Sequence, residues 1–199
     1  MFVGATFASA RQEGAAAAGP SATVRPAAAA PTGAGWIGGP VPRNTPIPAW
    51  PELLARGARM LWLQAGGAGQ EPVKTSWSDA HWDYRHRLLA PIKVSDGWSP
   101  DRTDCLCTVA MNVEPEREEE FNEWYDTEHT EYIGNVPGVV SASRFRFVDG
   151  EPRYIAIYQV TGPEILMSPE YASATETPWT FRVRRSMRDV SRIVYRRMS

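Results

Sequence analysis

Two strand patterns, CLCTVAMNV at residues 105–113 and RYIAIYQV at 153–160, are apolar on both faces, and no other feature constrains this chain as tightly. In the first, Cys105, Cys107, Val109, Met111 and Val113 share one face, and Leu106 and Ala110 make the other partly apolar. A strand of this kind belongs inside a sheet, covered on each side.

The neighbouring segments supply the rest of a sheet. Pro115 opens a helix predicted to run to about Ile133, with Gly134 as its cap and Pro137 beyond. GVVSASRFRFV reads as a second strand, and Asp149-Gly150-Glu151-Pro152 as the turn into the third. GPEILMSPEYASA is a short helix interrupted at Pro169, TPWTFRVR starts another turn with Thr177 as cap, and MRDVSRIVYRRM closes as a fourth strand. The order β-α-β-β-α-β over residues 105–199 predicts an α+β, ferredoxin-like domain. Its first and third strands should be central. Arg144, Arg146, Arg188, Arg192 and Arg196 mark the other two as edges. Both helices would cover one sheet face and leave the other bare and apolar. A homodimer stacked through that open face, with an apolar space between the sheets, is the expected remedy.

The N-terminal half reads differently. Residues 1–50 are dominated by Ala, Pro and Gly and predict a largely disordered tail. Residues 51–104 read as a partly ordered arm with a short helix over PELLARGARMLWLQAGG, followed by a Trp-rich stretch packed against the next domain. Met60 and Met111 offer shorter starts, of which Met60 is the more natural because Met111 lies inside a strand. His81 and His86 are five positions apart, off the i, i+4 spacing of paired ligands, and no metal site is predicted.

Composition narrows the function classes. Hydrophobic residues at 43% allow a packed core, and a net charge of −2 gives no case for nucleic acid or an anionic membrane. No apolar run approaches the ~20 residues of a membrane helix, and the first residues show no basic region of a secretory signal. The two cysteines, Cys105 and Cys107, share one strand face with poor geometry for a mutual bridge. A reducing cytoplasm is the expectation. Neither a phosphate loop nor a nucleophile elbow is present.

The stretch EEEFNEWYDTEH, residues 118–129, is the candidate site. On a regular helix Phe121, Trp124, Tyr125, His129 and Tyr132 form one stripe, and Glu128 falls near its centre. Most of the other acids are the solvated face. A carboxylate in an apolar stripe needs a partner or a proton. Glu128 therefore either anchors the helix through Arg144, Arg146 or Arg153, or joins His129 in moving protons, with Trp124, Tyr125 and Tyr132 against the substrate.

EFNEWYDTEHTEYIGNVPGVVSASRF, followed by PRYIAIYQV, SPEY and PWT, resembles the dimeric α+β barrel proteins, in particular the EthD-like group of uncharacterised bacterial proteins. The resemblance covers about residues 105–199, with Thr130 and the TEYIGN run departing from the group's more apolar pattern. It implies a homodimeric barrel with a small apolar cavity per subunit, and His129 as the pocket histidine. Relatives on this fold include cofactor-independent monooxygenases, polyketide cyclases, decarboxylases, isomerases and haem-degrading enzymes. The function expected is binding, and acid/base transformation, of a small apolar or aromatic molecule with no cofactor. A non-catalytic binding or dimerisation module, or haem held by His129, are the alternatives.

Overall fold

The two-faced strand of residues 105–113 is β5 (Cys105–Val113), and it lies inside a sheet in the order β8 (Met187–Arg197), β5, β7 (Tyr154–Val160), β6 (Val139–Phe147). Cys107 stands opposite Tyr158 of β7 and Val194 of β8, all antiparallel. Between β5 and β6 run a 3-10 turn (Pro115–Arg117), α2 (Glu118–Trp124), a π turn (Tyr125–His129) and α3 (Thr130–Gly134). A 3-10 turn (Pro163–Met167), α4 (Pro169–Thr175) and α5 (Pro178–Arg184) connect β7 to β8. This half has the predicted ferredoxin-like order with β5 and β7 central. Ser168 caps α4 and Thr177 caps α5, each accepting a hydrogen bond from the backbone N–H three residues on.

This computed structural model describes residues 3–10, 34–43, 45–65, 82–96 and 98–198. The sheet does not end at its arginine-bearing strands. β2 (Ala34–Pro40) pairs with β8, and β4 (Trp82–Lys93) pairs with β6. β3 (Arg59–Ala65) and β1 (Val3–Ala10) complete the ring, so eight strands of one chain close a barrel in the order β1-β3-β2-β8-β5-β7-β6-β4. The expected disorder over residues 1–50 therefore does not extend to Val3–Ala10 or Ala34–Pro40; residues 11–33 lie outside the described residues. The helix expected after Pro51 is α1 (Trp50–Ala55) and stops early, because Gly57 takes φ +122° and the chain continues as β3. His81 and the side chain of His86 lie outside the described residues.

The inner face of the barrel carries Leu106, Phe145, Ile155, Ile157 and Tyr195 from the C-terminal half. They pack against Val3, Trp36, Leu61, Leu63 and Leu89 from the N-terminal half. This corrects the predicted dimer face. The bare side of the sheet exists, but the same chain hides it, so no second copy is called for there. The predicted space between stacked sheets is likewise filled with side chains.

Candidate active site

On the other face of β5 and β7, beneath the helices, lies a cavity of about 880 Å³. Val109, Met111 and Tyr158 line it from the sheet, Trp124, Tyr125 and His129 from the helix, Tyr171 from α4, and Arg192 from β8. The chain leaving β2 contributes a further wall through residues 40–43, 45 and 46, which include Arg43. The site thus uses both halves of the chain.

Helix geometry places the histidine. Thr130 closes a π turn on Tyr125: its backbone N–H reaches the Tyr125 carbonyl, and its hydroxyl donates to the same oxygen at 2.7 Å. A π turn inserts one extra residue into the helical phase. Trp124, Tyr125 and His129 cluster, with the His129 ring stacked on Trp124 at 4.0 Å and edge-on to Tyr125 at 5.2 Å. The Trp124 indole N–H donates to Thr180 Oγ1 at 3.1 Å, which fixes the ring beneath the imidazole. His129 is 6% exposed, and among the described residues its Nδ1 has no hydrogen-bond partner. Burial first, then the cations of Arg43 and Arg144, lower its pKa to about 3, so the ring is neutral at physiological pH.

The same π turn removes two predicted members. Tyr132, assigned to the stripe by a uniform wheel, is 47% exposed beside a shallow groove away from the cavity, while Ile133 turns inward. Glu128 does not line the cavity and has none of the predicted arginine partners. It is half-buried and accepts a hydrogen bond at 2.5 Å from Thr177, the cap of α5, whose hydroxyl also contacts that of Thr180 at 2.9 Å. Glu128 and Trp124 therefore hold α5 through adjoining hydroxyls. The helix-to-sheet anchor is instead Arg144, which bonds Asn122 and lies 3.6 Å from Asp126. Its guanidinium carbon lies 4.4 Å from the Tyr125 ring centroid and 4.8 Å from those of Phe121 and Tyr154. Arg153 pairs with Glu118 at 2.9 Å.

Sequence reasoning missed Arg43, Arg184, Arg192, Tyr158 and Tyr171. Arg192, expected only as a mark of an edge strand, is half-buried and lines the cavity with Val190. The signal was parity: Val190, Arg192 and Val194 alternate on one side of β8, and Val194 is core. Burial raises the pKa values of Tyr125 and Tyr158, so both phenols stay protonated. Among the described residues no group of three His, Cys, Asp or Glu is placed to hold a metal, and no helix is long and apolar enough to cross a membrane.

No family model matches this chain, and no curated protein does. Solved structures do resemble it. An anthrone oxidase-like protein superposes with a TM-score of 0.54 at 14% identity, covering 100% of this chain and 92% of the other. A ferredoxin-fold protein related to antibiotic biosynthesis monooxygenases, from Listeria monocytogenes 4b F2365, gives 0.49 at 7% identity, covering 100% and 96%. A major regulator of staphylococcal pathogenesis also gives 0.49 at 7%, covering 98% and 99%. At 14% identity the first of these likenesses shows the fold alone.

Proposed function

We propose that this chain binds a small aromatic molecule in the helix-side cavity and removes a proton from it with His129 as base. One observation carries the reading: a buried, neutral imidazole, held by ring stacking on Trp124, lines an aromatic cavity of about 880 Å³. The neutral form accepts a proton without prior deprotonation. The same Arg43 and Arg144 charges that lower its basicity in the empty cavity favour the substrate anion formed as the proton leaves. The pair is thus stabilised in the transition state rather than before it. Trp124 and Tyr125 are the substrate-facing rings. Glu128 is a positioning residue for α5.

The Trp124–His129 string that resembles the EthD-like group supports this histidine, and the anthrone oxidase-like fold neighbour supports a fused aromatic ketone as a first probe. The free, buried thiols of Cys105 and Cys107 support a reducing, cytoplasmic setting.

The test is hydrogen–deuterium exchange at the acidic methylene of anthrone, followed by NMR with the full chain. The protein should accelerate exchange over buffer, and His129→Ala should lose about 100-fold or more of that acceleration while anthrone affinity changes little. Unchanged exchange in His129→Ala would end the catalytic reading and leave a binding module. Haem is the rival occupant, since His129 and the cavity arginines are the residue types that an iron ligand and ring carboxylates require; bound there, it would supply redox chemistry of its own. A Soret band on haemin titration, absent from His129→Ala, would replace the aromatic substrate with haem.

A further inference from the structure

The cavity carries more positive charge than its own residues balance. Arg43, Arg184 and Arg192 line it, and the carboxylate among its lining residues is Glu176, which acts electrostatically on Arg43. His129 adds no charge near neutral pH. This excess sits in a chain whose net charge is −2, so it is local to the site.

Arg192 is the telling member. It projects from β8 on the side of Val190 and Val194, half-buried, and reaches the Cys107 thiol and the Tyr171 hydroxyl. Burial raises the pKa values of both, so they are neutral partners at physiological pH. Among the described residues no carboxylate pairs with Arg192 or with Arg184. Arg184 instead donates to the Thr175 carbonyl, to which Arg43 also donates at 2.9 Å. A guanidinium withdrawn from water without a counter-charge is costly to the empty protein. A carboxylate answers that cost with a forked pair of charge-assisted hydrogen bonds. The remaining walls, Val109, Met111, Trp124 and Tyr158, suit an apolar ring system.

From this juxtaposition, resting on the reading of the cavity as an aromatic site, we infer that the ligand is an aromatic acid, its ring system among the aromatic walls and its carboxylate on Arg192 and Arg184. The acid group is a recognition handle, separate from the proton that His129 removes.

Binding of 2-naphthoate and of its neutral amide, 2-naphthamide, to the full chain is measured by calorimetry at neutral pH. The acid should bind at least about tenfold more tightly than the amide. Arg192→Gln should weaken the acid by about 10- to 100-fold and leave the amide unchanged, with Arg184→Gln acting in the same direction. His129→Ala should keep the preference for the acid. Equal affinities for acid and amide in the wild type, a comparison that needs no variant to fold, overturn the carboxylate assignment and leave the aromatic cavity standing. A variant that weakens both ligands alike overturns it too. If neither compound binds, the aromatic-site reading itself fails, and the acid with it.

Discussion

His129 shows how a site residue can be legible while its state is not. The histidine stood out in the sequence because it shared a stripe with Trp124 and Tyr125, and the three rings are indeed together. What the sequence hid was the pair of cations acting on it, since Arg43 comes from a Pro-rich segment after β2 and Arg144 from β6. The lowered pKa makes a stability prediction. An unfolded histidine takes up its proton near pH 6.5, whereas the folded one resists until about 3, so the unfolded state binds more protons between those values. Stability conferred by the neutral ring is present above pH 6.5 and drains away as pH falls towards 3. His129→Phe preserves an aromatic ring against Trp124 and removes the titration. Urea unfolding at stepped pH should show the wild type losing stability faster than His129→Phe across that window, by up to about 1.4 kcal/mol per pH unit. Parallel curves would show that the imidazole is not held neutral.

At the scale of elements, the wheel grouped Trp124, Tyr125 and His129 correctly and misplaced Glu128 and Tyr132. Periodicity assumes a constant number of residues per turn, and the π turn over Tyr125–His129 breaks that assumption. This single irregularity accounts for the misplacement of both Tyr132 and Glu128. Thr130 is part of the device, because its hydroxyl adds a second hydrogen bond to the Tyr125 carbonyl. Thr127 makes a similar bond to the Glu123 carbonyl at 2.8 Å on the exposed side. The two threonines form an internal control. Thr130→Val should cost about 1 kcal/mol, the usual net worth of a buried hydrogen bond, and Thr127→Val less than about 0.5 kcal/mol, as at other exposed sites. Chemical denaturation of the two variants measures the difference. Equal costs would mean that the Thr130 hydroxyl does not support the turn.

For the whole molecule, the topology of residues 105–199 and the bareness of one sheet face could be read from the chain, but not what covers that face. Two of the covering strands, β1 and β2, are rich in the same Ala and Gly that made their segment resemble a tail. At Gly38 of β2 a Cβ would collide with the Val194 backbone carbonyl of β8, so the small residue is what lets the two halves pair. Low side-chain content marks disorder where a segment has no partner, and close backbone approach where it has one. The difference is tertiary and invisible to composition. Closure within one chain predicts how its half behaves alone. A fragment of residues 105–199 retains the ferredoxin-like order but loses the strands paired to β6 and β8, and uncovers Leu106, Phe145, Ile155, Ile157 and Tyr195 together. Open edges and a contiguous apolar face drive association. By light scattering the fragment should self-associate at micromolar concentration and bind a hydrophobic dye, and adding residues 1–104 as a separate chain should suppress both. A fragment that stays monomeric and dye-free would mean that the N-terminal strands do not cover an apolar face. The wall that residues 40–43, 45 and 46 lend to the cavity would then lose its structural basis as well.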